Sequence, residues 1–106
     1  GCRVEYDLRE ALRDADIVMG LRMQLERMGE GLFPSLEEYS KHYVLSKDTI
    51  KYAKKDALIM HPGPMNRGVE ILPEIADSSQ SIIVEQVANG VAVRMALMFL
   101  ILGGKL

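Results

Sequence analysis

Two short stretches of this sequence hold the side chains able to grip a small polar ligand. The first is Arg22-Met23-Gln24-Leu25-Glu26-Arg27, directly after an apolar run. Side chains alternate along an extended segment, so Arg22 and Gln24 fall on one side of it. A guanidinium holds a carboxylate through two parallel hydrogen bonds, and a carboxamide beside it can both donate and accept. The pair suits a small ligand bearing a carboxylate, with Glu26 and Arg27 behind it as orienting charges. A solvated charge cluster at a strand end would carry the same residues, because surface Arg/Glu pairs are common and weak.

The second stretch is Met60-His61-Pro62-Gly63-Pro64-Met65-Asn66-Arg67-Gly68-Val69-Glu70, which ends the short apolar run Ala57-Leu58-Ile59-Met60. Proline fixes φ and lacks a backbone donor, so neither Pro62 nor Pro64 can extend a sheet ladder. Their carbonyls remain acceptors, aimed wherever the turn sends them, and Gly63 lets another group approach the backbone closely. In α/β domains such strand ends are where ligands sit. An ordinary Pro-Gly turn has the same composition. His42 and His61 lack Cys, Asp or Glu at ligand spacing, so neither a metal site nor a cofactor is expected.

The elements that must position these stretches read as follows. Arg3-Val4-Glu5-Tyr6 alternates like a short strand. Asp7, with Glu10 three residues on, opens a helix whose apolar face is Leu8, Ala11, Leu12 and Ala15. The run from Asp16 to Leu21 reads as a strand buried on both faces, as in parallel sheets. Strand, helix, strand is a right-handed βαβ unit, and a parallel sheet follows. Met28 to Pro34 is a loop with two glycines, of the kind that covers a ligand. Ser35 with Glu38 opens a helix to Tyr43 or Val44, with Leu36, Tyr39 and Tyr43 on one face and His42 in its last turn. Ser46 caps a shorter helix from Lys47 to Lys55, and the strand Ala57 to Met60 follows. Ile71 to Asp77 reads as irregular with a short turn, packing its isoleucines against the sheet. A long helix then runs from about Ser81 to Leu102, closed by Gly103-Gly104.

Composition bounds the rest. The chain has 106 residues, 48% of them apolar and 26% charged, which is room for one globular domain. A net charge of −2, with no basic stripe carrying aromatics, excludes a nucleic-acid surface. The single cysteine, Cys2, fits a reducing cytoplasm and no disulfide framework. The start, Gly1-Cys2-Arg3-Val4, has no apolar signal core and no initiator methionine, so a piece of a longer chain is expected. Beyond Arg94 the last helix is apolar nearly all round, from Met95 to Leu102. Asn89, Gly90 and Arg94 interrupt it short of the roughly 20 clean residues of a membrane span, so protein rather than lipid is expected to bury it.

Taken together, the Arg-x-Gln-x-Glu-Arg string, the glycine loop, the His-Pro-Gly-Pro-Met-Asn-Arg-Gly-Val-Glu string and the apolar helix with Asn89-Gly90 resemble the C-terminal part of aspartate carbamoyltransferase catalytic chains. The resemblance covers essentially the whole sequence. It implies an α/β fold, a parallel sheet flanked by helices, with residues 1–80 forming part of an L-aspartate-binding domain. Residues 81–106 would be a helix packing on a carbamoyl phosphate domain outside this chain. The activity implied is transfer of a carbamoyl group from carbamoyl phosphate to L-aspartate in pyrimidine synthesis, by a cytoplasmic homotrimer, with or without a dihydroorotase or regulatory chain. By the resemblance Arg22 and Gln24 would bind aspartate. Pro62, Gly63 and Pro64 would bind the carbamoyl group, with a cis Gly63–Pro64 bond. His61 would anchor the strand end, and Arg67 would add charge at the same mouth.

No catalytic residue is assigned within the chain. The family's phosphate-binding loop and carbonyl-polarising histidine lie outside it, so the chain alone is expected to be inactive. Ornithine carbamoyltransferases share the chemistry but carry a cysteine in the turn that here reads His-Pro-Gly-Pro. The other readings are a non-catalytic module that associates through its apolar helix, and a small-anion binder built on Arg22 and Arg67.

Overall fold

The computed structural model describes residues 1–24 and 35–104. In chain order these form α1 (Leu8–Leu12), β1 (Ile17–Met19), α2 (Leu36–Tyr43), α3 (Lys47–Ile50), β2 (Leu58–Met60), α4 (Pro73–Ala76) and α5 (Ile83–Ile101). β1 and β2 pair in parallel, with Ile17 opposite Leu58, Val18 opposite Ile59 and Met19 opposite Met60. On its other edge β2 takes a further single-residue partner. Ile59 N donates to Gln80 O at 2.9 Å, and Ile59 O accepts from Ile82 N at 3.0 Å. A central strand of this kind has both edges satisfied, as buried backbone requires.

The parallel sheet with flanking helices agrees with the sequence reading, and so do three helix caps. Asp7 accepts from Arg9 N, Ser35 from Glu38 N, and Ser46 from Thr49 N with Thr49 Oγ1 returning to the Ser46 N–H. Such caps satisfy backbone donors that a helix start leaves open. The expected box between Asp7 and Glu10 differs in its second arm, since Glu10 reaches forward to pair with Arg13.

Other expectations fail for identifiable reasons. Arg3 to Tyr6 is not a strand. The Glu5 carboxylate instead folds onto Arg3 at 2.7 Å and accepts from Tyr6 N at 3.0 Å. A strand needs a neighbour to share its ladder, and none stands beside it among the described residues. β1 is buried on one face only, because Ile17 is 56% and Met19 49% exposed while Val18 is 7%. The helix expected from Lys47 to Lys55 ends at Ile50, and Lys51 to Ala53 continues as turns. The stretch expected to be irregular contains α4, with proline in its first turn where the missing donor costs nothing.

The core is Leu12, Val18, Leu45, Ala57, Ile59, Ile71, Ile75 and Ile83. Leu45 ties the middle of the chain to the segment after the proline turn, for its N–H donates to Glu70 O and its carbonyl accepts from Leu72 N, both at 2.9 Å. Full burial of each large aliphatic side chain contributes on the order of 1.5–3 kcal/mol, so most of the chain's stability resides around β2.

α5 departs from that core. Ile83 is its one buried residue, and Val84, Met95, Leu97, Phe99 and Ile101 are all more than half or about half exposed. The radius of gyration is 16.3 Å, against about 13 Å for a compact domain of this length. The helix ends in a left-handed Gly103 at φ +87°, with Gly103 N bonded to Leu100 O and Gly104 N to Phe99 O. These two bonds form a Schellman cap. By length and composition alone, the helix is also long and apolar enough to cross a membrane.

Candidate functional site

The tips of β1 and β2 lie side by side. Past Met19 the ladder continues for one bond, Gly20 N to Met60 O at 3.0 Å. A side chain at Gly20 would bring its Cβ to 3.3 Å from the His61 ring and 3.5 Å from Leu45, so glycine lets the two chain ends touch. Beyond this point one strand leads to Arg22 and Gln24 and the other to the proline turn. The two segments are then joined directly, for Asn66 Nδ2 donates to Met23 O at 3.0 Å. Arg22 is half-buried and Gln24 exposed. Glu26, Arg27 and the loop from Met28 to Pro34 lie outside the described residues.

The turn itself is built as the sequence suggested. Gly63–Pro64 is cis, and Gly63 sits at φ +66°, a left-handed conformation that L side chains adopt at a cost. Pro62 and Pro64 are exposed and Gly63 half-buried. Without N–H groups, the prolines present only carbonyls to a ligand.

Beneath the turn is a buried polar group whose partners composition gave little sign of. His61 is fully buried and Glu70 is 3% exposed. The Nδ1 of His61 accepts from Gly63 N at 2.9 Å, and its backbone N–H donates to Gln86 Oε1 of α5 at 3.0 Å. Its Nε2 faces Glu70 Oε1 at 3.3 Å. The same Glu70 oxygen accepts from Asn66 N at 2.6 Å. His61 therefore anchors the strand end, as expected. Asn66, Glu70 and Gln86 were not singled out in the sequence; the only signal was polar residues recurring just after an apolar strand. Tyr39 also faces this region: its own burial first, then the Glu70 charge and Tyr43, push its phenol above the usual range.

Arg67 is placed differently from the sequence expectation. Its guanidinium is engaged by Asp77 in a fork of two bonds, 2.6 and 2.8 Å, at the surface. That hydrogen bond raises the Arg67 pKa and lowers that of Asp77. A cation already bound in this way is poorly placed to serve an incoming anion. His42 is exposed, in the last turn of α2.

Among the described residues no cluster of His, Cys, Asp or Glu is arranged for a metal ion. A groove of about 330 Å³ runs along α1, β1 and α2, lined by Leu8, Leu12, Ile17, Met19, Tyr39 and Tyr43 among others. It includes none of Arg22, Gln24 or Pro62–Pro64. A second groove, about 430 Å³, lies between Met60 and the flank of α5 at Gln86, Asn89 and Arg94.

Comparison with known proteins places these features. Residues 2–101 match the family model described as aspartate/ornithine carbamoyltransferase, Asp/Orn binding domain. The aspartate carbamoyltransferase catalytic subunit of Syntrophus aciditrophicus is 60% identical over 103 residues, covering 97% of this chain and 34% of that protein. The subunit of the same name from Geotalea daltonii is 56% identical over 100 residues, covering 94% of this chain and 32% of the relative. Among solved structures, the ornithine carbamoyltransferase of Pyrococcus furiosus superposes with a TM-score of 0.76 at 29% identity, over 94% of this chain and 32% of that one. The aspartate transcarbamoylase of Trypanosoma cruzi, at 23% identity and a TM-score of 0.70 over 90% of this chain and 29% of that one, shares the fold. The chain spans about a third of the length of these relatives.

Proposed function

The chain belongs to the aspartate/ornithine carbamoyltransferase family, within its Asp/Orn-binding domain, and from that premise we propose that it supplies the amino-acid-binding half of an aspartate carbamoyltransferase site. Arg22 grips a carboxylate of L-aspartate and Gln24 assists it. The carbonyls of Pro62 and Gly63 accept from the carbamoyl amide, and Pro64 holds their direction. In the reaction the aspartate amine attacks the carbamoyl carbon. A C–N bond forms, the bond from carbon to the phosphate oxygen breaks, phosphate leaves with the electron pair, and the amine gives up a proton. No covalent enzyme intermediate is needed. Rate comes from holding the two ligands in register and stabilising the charge that develops.

The observation that carries this reading is the bond from Asn66 to the Met23 carbonyl, beside the Gly20–Met60 contact. It draws the segment suited to a carboxylate against the segment suited to an amide. The choice of aspartate over ornithine is supported by the named relatives at 56–60% identity and by the absence of cysteine from His61-Pro62-Gly63-Pro64. The phosphate-binding half, the homotrimer and a cytoplasmic setting belong to the same proposal. So does the cover of α5 by protein rather than lipid, which is supported by the family match running through the helix to residue 101.

A chimera tests it. This chain would replace the matching third of the Syntrophus aciditrophicus catalytic subunit, with carbamoyl aspartate and citrulline formation assayed side by side. The expected result is carbamoyl aspartate only, with Arg22→Ala raising the aspartate KM about a hundredfold or more, as loss of a buried charge-assisted pair does. Preference for ornithine, or an unchanged aspartate KM in the variant, would contradict the assignment.

A further inference from the structure

We propose that His61 is a positioning residue for the carbamoyl group, aiming the Pro62 carbonyl through the Gly63 N–H. The proposal rests on the carbamoyltransferase reading above and names a residue that the substrate contacts alone do not require. The argument starts from covalent geometry. In a trans peptide the C=O and N–H of one unit point in opposite directions. Of the bonds around the turn Gly63–Pro64 is cis, and Pro62–Gly63 is not among the cis bonds. Gly63 N–H points inward to His61 Nδ1 at 2.9 Å. The Pro62 carbonyl, on the same peptide plane, must therefore point away from the buried ring, on the side where Pro62 itself is exposed.

The ring can do this only in one state. A nitrogen that accepts from an N–H carries no proton, so Nδ1 is bare and the neutral ring keeps its proton on Nε2. Nε2 faces the Glu70 carboxylate at 3.3 Å, which favours a proton at that nitrogen. Glu70 is fixed in turn by the Asn66 N–H at 2.6 Å, and Asn66 holds the Met23 carbonyl. On the opposite side Gln86 of α5 accepts from the His61 backbone N–H. The ring is wholly buried, and its Nδ1 keeps the Gly63 N–H as its hydrogen-bond partner. His61 thus sets the direction of one carbamoyl acceptor through the Gly63 N–H.

Two experiments test this separately from the reading beneath it. In the chimera, the unsubstituted protein reports whether the segment serves a carbamoyltransferase at all. Against that baseline His61→Ala is expected to raise the carbamoyl phosphate KM about tenfold or more, the loss of one oriented hydrogen bond, with the aspartate KM changed less than about threefold. His61→Asn places an acceptor where Nδ1 stood and is expected to recover most of that loss. If alanine and asparagine variants behave alike, or both substrates weaken equally, the positioning role is wrong. Nitrogen NMR of the unsubstituted 106-residue chain gives an answer independent of activity and of variant folding. A bare Nδ1 and a protonated Nε2 at neutral pH are expected, and a protonated Nδ1 would overturn the proposal.

Discussion

The proline turn and the C-terminal helix are adjacent in sequence and opposite in how they are determined. From His61 to Ile71 the turn is tied into the chain by Gly63 on His61, Asn66 on Glu70 and Met23, and Leu45 on Glu70, with His61 Nε2 and Glu70 Oε2 left buried without a hydrogen bond among the described residues. From Val84 to Leu102 the helix satisfies its own backbone but, apart from Gln86 on the His61 N–H, leaves most of its side chains in the open. One region is shaped by what the chain contains. The other presents an apolar surface that the described residues leave uncovered. Contiguous exposed apolar area of this kind marks an interface. The contrast says that the turn's local geometry is built by this chain itself, while the long helix gains little burial from the other described residues.

Mutations at the two places should therefore differ in kind. The largest effect is expected at Ile59, fully buried in β2. Ile59→Ala should cost about 2–5 kcal/mol in chemical denaturation, from lost transfer energy and a residual cavity. Next comes Gly63→Ala, where the left-handed backbone makes a Cβ unfavourable by about 1–2 kcal/mol, although the nearest atom it would meet, Val87 Cγ2, stands 3.8 Å away without a clash. On α5 the same assay should barely respond. Val84→Gln, at a side chain 84% exposed, should shift stability by no more than about 0.5 kcal/mol, while a double change of Met95 and Phe99 to glutamine should sharply reduce hydrophobic-dye binding and light scattering. A large loss of stability from Val84→Gln would break the comparison.

The smallest expected effect is electrostatic. The hydrogen bond from Arg67 holds the Asp77 pKa below its ordinary value. A carboxylate depressed in the folded state adds stability above its unfolded pKa and loses it as pH falls through the folded one. The pair is at the surface, so its contribution is screened. Asp77→Asn should remove a slight acid-side slope in unfolding midpoint, and added salt should remove the same slope from the parent chain.

The proline turn was legible because its signals are local. Two prolines around Gly63 announced a strand end, and the cis bond followed from a family resemblance carried by a contiguous string. Capping residues at Asp7, Ser35 and Ser46 were readable for the same reason. What was not legible depends on neighbours. Arg3–Tyr6 has the alternation of a strand and no strand to pair with among the described residues, so Glu5 turns back on Arg3 instead. Ile17 and Met19 have the composition of a doubly buried strand, but one face lacks cover among the described residues. Arg67 looked like a ligand for anions until Asp77, ten residues on, took its guanidinium. The partners of His61 come from three separated parts of the chain, and no periodicity encodes such a meeting.

Complementation tests the central claim most directly: that two strand tips in this chain form one half of a carbamoyl-transfer site awaiting its other half. The N-terminal two-thirds of the Syntrophus aciditrophicus subunit would be produced separately, mixed with the 106-residue chain, and assayed for carbamoyl aspartate. Activity is expected only when both pieces are present, rising to a plateau as this chain is added and vanishing when it carries Arg22→Ala. Equal turnover with the Arg22→Ala chain, or no turnover from a mixture in which the two pieces demonstrably associate, would contradict the account.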